Sequence, residues 1–374
     1  LADNYKSHGV YIFHGDADRV VPVTYARQMR EVLSKFHPDF SYYEYPGGSH
    51  WFGNESVDWP PLFEYFKWHK NHANHEMDVL DFKTANPGVS ASHRWISVLQ
   101  QEEPLKFSRV QLERNKEQNT IGGTTENVYA LKVEISELNR SERIQINLDG
   151  DSINIDAKDD QIIYLYKNGH WAVGSELDKK QKGPHRGGTF KDGFNHQMVY
   201  VYATKGNAAE NQWAYNKARF DAEVWYYRGN GSIDIIADKD FDPKKYADRG
   251  VILYGNASNN AAWDKLLKDC PIQVKDGEVA LGAKTFKGED LGAYFVWPRP
   301  DSEIASVSVI SGTGLTGMKS TEANQYFAGG SGFPDYMIFS SDMLKEGVKG
   351  IKATGFFGNN WTLENGDKQI QTDL

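Results

Sequence analysis

Two short segments carry the residue types that could do chemistry together. His14-Gly15-Asp16-Ala17-Asp18-Arg19-Val20-Val21-Pro22 supplies a carboxylate, and Tyr45-Pro46-Gly47-Gly48-Ser49-His50 supplies an imidazole, with Asp18 and His50 separated by 32 positions. A hydroxyl is a weak nucleophile until an imidazole takes its proton, and a carboxylate must orient that imidazole and stabilise its charged form. His50 suits the general base and Asp18 the orienter. The third member is missing. Where a serine works with such a pair on an open α/β sheet, it sits in a G-x-S-x-G turn and precedes both partners. No G-x-S-x-G occurs in this sequence, and its nearest approaches, Ser311-Gly312 and Gly330-Ser331-Gly332, follow His50.

Both residues need elements to position them. Gly9-Val10-Tyr11-Ile12-Phe13 is a short apolar run stopping at His14-Gly15, which predicts a buried parallel strand with Asp18 in the loop beyond its C-terminal end. Tyr25, Met29, Val32, Leu33 and Phe36 predict an amphipathic helix over 24–36 packed on that strand's sheet. A second strand is expected over 40–45, the His50 loop next, and a helix over 61–68. Strand, acid loop, helix, strand, His loop and helix form the closing βαβα segment of an open sheet, whose functional loops gather at the strands' C-terminal ends.

The pattern HGxxDxxVP followed by a Gly-rich loop bearing His makes residues 9–70 resemble the end of a prolyl-oligopeptidase-like catalytic domain, a family of bacterial peptidases and esterases in the α/β-hydrolase superfamily. The resemblance implies Asp18 in the acid position, Asp16 in the variable pair, and His50 as the base. It implies a peptide or ester substrate, no cofactor, a periplasmic or extracellular location, and an upstream catalytic segment carrying the nucleophile. Leu1 opens the sequence without Met or signal peptide, so a C-terminal part of a longer serine hydrolase is expected. Such a part should be inactive by itself.

Composition narrows the rest. A chain of 374 residues exceeds one core and predicts two or three domains. A net charge of −9 argues against a nucleic-acid partner, and no run approaches the length of a membrane span. The single Cys270 excludes an internal disulfide. His69, His72 and His75 recur every third residue, but that spacing drifts around a helix and no carboxylate or thiol completes a convincing metal set.

Beyond the first segment the period changes. Residues 77–183 mostly alternate apolar with polar side chains between Gly-rich turns, which predicts a β-sandwich-like domain. Trp95 and Trp171 are either its core or a glycan-stacking platform. Residues 184–374 return to α/β alternation, with strands near 197–203, 232–237, 251–254, 305–310 and 336–339 and a long helix over 211–227 directing Trp213, Phe220, Val224 and Tyr227 to the core. This predicts a doubly wound α/β domain, and KDGFNHQMVYVYATKG, ARFDAEVWYYRGNGS, VILYGNASNNAAWDKLL, VISGTGLTGM and GFFGNNW make the region resemble the C-terminal accessory part of multi-domain members of the same hydrolase family. Gly312-x-Gly314-x-x-Gly317 has dinucleotide spacing but lies late in its domain, and Asp335 opens a strand instead of closing one, so turn glycines are the better account. Asn256, Asn259 and Asn260 suit turns and a helix cap better than a ligand.

The expected fold class is therefore mixed α/β and β, multi-domain: a C-terminal piece of an α/β-hydrolase sheet over 1–76, the sandwich-like module, then the doubly wound domain. Two functions of different class follow. One is the acid and base of a serine hydrolase; the other is a binding or scaffolding module for a glycan or protein.

Overall fold

The apolar run after Gly9 forms strand β1 (Val10–Gly15), paired in parallel with β2 (Phe40–Tyr45) so that Val10 faces Phe40 and Gly15 faces Tyr45. Helix α1 (Thr24–Leu33) makes the crossover between them, and α2 (Pro60–Trp68) begins on Pro60 and Pro61, where a missing N–H costs nothing. The expected burial of α1 is incomplete: Ala26 and Leu33 turn inward, whereas Tyr25, Met29 and Val32 stay exposed. A two-stranded sheet has too little area to cover a helix face.

The computed structural model describes residues 1–323 and 325–371. They divide into one unit of Leu1–Ala85 with Ser92–Ser175 and a second of Asn86–Ala91 with the chain from Glu176 onward. The βαβα segment and the β-rich region thus share the first unit. That region runs through β3 (Val79–Thr84), β4 (Ser92–His93), β5 (Ile96–Gln100), β6 (Ser108–Asn115), β7 (Thr120–Glu126), β8 (Ala130–Glu134), β9 (Ile144–Leu148), β10 (Asp151–Ile155), β11 (Ile162–Asn168) and β12 (His170–Gly174). They form two five-stranded sheets, ordered β10-β9-β7-β6-β3 and β12-β11-β8-β5-β4. Alternation explains the packing: Val110 and Leu112 of one sheet and Leu131 and Val133 of the other enter one shared core. Trp95 and Trp171 belong to that core, at 1% and 4% exposure, and their indole N–H groups donate to Met77 O and Asp149 Oδ2. Neither ring is available to stack on a sugar.

The second unit is built on β13 (Val199–Tyr202), α3 (Ala208–Gly229), β14 (Asp234–Ala237), β15 (Val251–Tyr254), α4 (Trp263–Leu267), β16 (Ile272–Lys275), β17 (Glu278–Leu281), β18 (Lys284–Lys287), β19 (Leu291–Pro298), β20 (Ser306–Gly312), α5 (Leu315–Ser320), β21 (Tyr336–Ser340), α6 (Met343–Glu346), β22 (Ile351–Phe356) and β23 (Asp367–Ile370). Its main sheet has the order β14-β13-β15-β20-β19-β21-β22-β23. Only the first four strands are parallel to one another, and the other four alternate in direction. The reason lies in connection length: residues 299–305 between β19 and β20 are too few for a crossover and force an antiparallel pair. On one face, Val199, Val201, Leu253 and Val309 pack with Trp263 and Leu266 of α4 and with Val274 and Val279 of the small β16-β17-β18 sheet. On the other, Tyr200, Ile252, Tyr254 and Ile310 pack under Trp213, Ala214 and Ala218 of α3. Phe220 and Tyr227, expected in that core, are exposed at 60% and 88%.

A buried carboxylate ties the far side of this unit together. Asp335 accepts from the backbone N–H of Thr189 and of Phe357, at 2.6 and 2.8 Å, and pairs with Lys182, whose ammonium also donates to Phe357 O and lies over the Trp361 ring. Removing one partner strands the others. We expect Asp335→Ala to lower the stability of the second unit by about 3–5 kcal/mol, read as a drop in its urea midpoint; an unchanged midpoint would show the pair to be dispensable.

Candidate active site

Parallel strands in register release their following loops at the same edge, and β1 and β2 do this with Gly15 opposite Tyr45. The two loops touch through backbone. A Cβ built on Gly15 would lie 2.4 Å from Gly48 O, so only glycine permits the approach. Ala17 N donates to Gly48 O at 2.9 Å and Asp16 N to Tyr45 O at 3.1 Å. The Asp16 carboxylate accepts from Gly47 N at 2.6 Å, which gives it a bracing role away from the imidazole. Downstream, the chain closes back on the sheet: Phe52 stacks on Tyr45, Trp59 stacks on Phe13, and Trp59 Nε1 donates to Tyr11 Oη.

Within this frame Asp18 and His50 meet. His50 Nδ1 and Asp18 Oδ2 are 2.9 Å apart, and Asp18 Oδ1 accepts from Val20 N and Val21 N, each at 2.8 Å. The carboxylate is 6% exposed and the ring 35%. Desolvation pulls the Asp18 carboxyl upward, but His50 and the Val21 and Val20 amides outweigh it and hold it at about 2, against an ordinary 3.8. Asp18 is therefore an anion at neutral pH, as an orienter of imidazole must be. An Nδ1–H donated to Asp18 leaves Nε2 as the basic nitrogen, and Nε2 has no hydrogen-bond partner among the described residues. A cavity of about 510 Å³ lies beside the ring, lined by Ala17, Arg19, Val20, Ser49 and Trp51. The Ser49 hydroxyl donates to Trp51 O.

One contributor was not singled out from sequence. His14 Nε2 lies 3.6 Å from Asp18 Oδ2 and 2.9 Å from Val21 O, so it braces the acid loop from the strand end. Its signal was its place at the head of the motif.

The remaining candidates resolve locally. His69 bonds Asp39 and the Tyr65 carbonyl, and His72 faces Glu76 at 3.6 Å, so the three histidines do not converge; no group of three or more His, Cys, Asp or Glu among the described residues is arranged for a metal. A Cβ on Gly317 would lie 2.1 Å from Leu291 O and one on Gly312 2.3 Å from Met318 N, so these glycines serve close backbone packing. Asn256 Oδ1 accepts from Ser258 N and Asn259 N, and Asn260 Oδ1 from Ala262 N. These are turn and cap contacts. Among the described residues no helix is long and apolar enough to cross a membrane.

No known family model matches the chain, and no curated protein does.

Because the folded pKa of Asp18 is depressed, the stabilisation it supplies is in place above the ordinary carboxyl range and is lost as pH falls toward about 2. We expect a carbon-detected NMR titration to show Asp18 ionised at pH 3, where an unperturbed carboxyl is mostly protonated; a midpoint near 4 would mean that the loop contacts do not persist in solution.

Proposed function

We propose that Asp18 and His50 are the orienter and general base of a serine-hydrolase centre that cleaves a peptide or ester bond, with the nucleophilic hydroxyl supplied by a segment outside this sequence. The observation that carries this reading is the 2.9 Å contact of His50 Nδ1 with a largely buried, strongly acidic carboxylate, combined with an Nε2 that faces no protein partner among the described residues. The hydroxyl proton would pass to Nε2 as oxygen attacks the carbonyl carbon, and His50 would return it to the leaving group. The carboxylate of Asp18 stabilises the imidazolium between these steps.

The surroundings support the outside segment. Parallel sheets are normally covered on both faces and extend beyond two strands. Here β1 and β2 stand as a pair, and Gly15 is the one residue of the two strands that is buried. Val20, Tyr25, Phe63, Phe66 and Trp68 around them are exposed. Further parallel strands would cover such surface and bring a nucleophile loop to the same edge, in line with the resemblance to the prolyl-oligopeptidase-like family and its extracytoplasmic members. On this reading the sandwich and the second unit limit access or hold the substrate.

A binding or scaffolding role without catalysis is the second reading, favoured by the lack of a G-x-S-x-G turn in this sequence. The two separate cleanly. This chain alone should neither label with a fluorophosphonate probe nor hydrolyse 4-nitrophenyl acetate above the rate of free imidazole; labelling of any serine here would refute the proposed division of the centre. When the chain is joined to the segment that precedes it in its full-length protein, His50→Ala should abolish ester turnover. Asp18→Asn should lower kcat by about 10³–10⁴-fold with KM little changed. Full activity in either variant would remove that residue from the centre.

A further inference from the structure

A second constellation lies in the other unit, beneath α3. Lys217 and Asp221 stand one turn apart with side chains 5% and 2% exposed, and they pair at 2.7 Å. Asp221 Oδ2 also accepts from Tyr254 Oη at 2.9 Å and from Tyr326 Oη, while Lys217 donates to Tyr326 Oη at 2.6 Å. Burial raises the Asp221 carboxyl above its ordinary range and lifts both phenols well above theirs. A buried ion pair is a weak source of stability compared with apolar packing of the same volume, so its presence asks for a reason.

The pair is not sealed in. Lys217, Asp221 and Tyr326 line a cavity of about 480 Å³ together with Glu322, Gln325 and Ala328. Phe220, Val224 and Tyr227 wall it on the helix side and Phe327 on the other. Phe220 and Tyr227 sit at core spacing on the helix yet are 60% and 88% exposed, which leaves an aromatic stripe uncovered beside a polar floor. Mostly apolar cavities with a few convergent polar groups of shifted acidity are where small ligands bind.

Hydrogen-bond bookkeeping indicates the ligand. An ammonium has three donors. Two of those on Lys217 go to Asp221 and Tyr326, and the third has no oxygen or nitrogen acceptor among the described residues, the ammonium lying 4.9 Å from the Tyr326 ring and 5.7 Å from that of Phe220. The acids at the rim are engaged: Glu322 accepts from Trp213 Nε1, and Glu223 pairs with Arg219. The unmet need is therefore an acceptor oxygen. Arg228 also lines the cavity but is exposed; beside Lys217 and Asp221, which already neutralise each other, a carboxylate would bring an unpaired charge among buried groups, whereas a neutral carbonyl would not.

We propose that this cavity binds a small uncharged aromatic molecule bearing a carbonyl, its oxygen accepting from the Lys217 ammonium and its ring lying against Phe220, Tyr227 and Phe327. The amide and ester of an arylalkanoic acid are the chemical class. The site is independent of His50 and Asp18, and its test does not involve hydrolysis.

The probe is 3-phenylpropanamide, titrated into the chain and followed by backbone amide NMR shifts. Saturable shifts confined to α3, Glu322 and residues 325–328 are expected. Replacing the ring with cyclohexyl should weaken binding several-fold, by about the loss of one aromatic contact, and 3-phenylpropanoate should bind more weakly than the amide. Lys217→Met should weaken the amide about tenfold, the loss of one hydrogen bond. Should that variant not fold, Phe220→Ala and Tyr227→Ala decide, since both side chains are exposed and their loss leaves the core intact; each should weaken binding several-fold. No saturable shifts with the amide, or equal affinity in the Phe220 and Tyr227 variants, would overturn the proposal, as would tighter binding of the carboxylate.

Discussion

Parallel strands in register end together, and that constraint positions the chemistry of both units. In the first, the pairing of β1 with β2 through Gly15 and Tyr45 delivers an acid loop and a histidine loop to one edge, and two glycines let their backbones meet. In the second, β13, β14 and β15 are likewise parallel, and one carboxylate joins the loops after them: Asp238 accepts from Thr204 Oγ1, from Lys239 N and from Ala261 N. The same geometry has opposite chemical outcomes. Asp238 is fully buried and its partners are backbone and a hydroxyl, so that edge is a structural clasp. The Asp18 edge ends in an imidazole that is one-third exposed, its Nε2 without a hydrogen-bond partner among the described residues.

Three carboxylates show how surroundings decide what a charge does. Asp335 has two backbone amides and an ammonium around it in an enclosed site, and it fastens distant segments of the second unit. Asp18 has a similar count of donors, two amides and an imidazole, but its imidazole is one-third exposed and borders a cavity. Asp221 is enclosed on the protein side and borders a cavity on the other, so its neutralised pair with Lys217 presents a donor without becoming a source of net charge.

Local pattern was enough to read β1, α1, β2, α2, the sandwich alternation and the parallel strands of the second unit, because each element's burial follows a period of two or of 3.6 that neighbouring residues display. It failed where burial depends on partners remote in sequence. Phe220 and Tyr227 have core spacing, but no element among the described residues covers them, and Tyr25 and Met29 stay exposed because β1 and β2 are a sheet of two strands. Strand β19 was missed although its residues from Leu291 to Val296 are all buried; a continuous apolar run has no period to distinguish it, and its direction depends on the short link to β20.

By itself the sequence determined the presence and order of Asp18 and His50, the glycines beside them, and the lack of a G-x-S-x-G turn, because these are statements about residue type and spacing. Tertiary structure alone decided that Asp16 accepts from Gly47 N, that Trp95 and Trp171 are core, and that Lys217 and Asp221 border a cavity. Direction of a side chain and solvent access to it are set by what packs against it, and those neighbours come from segments far along the chain.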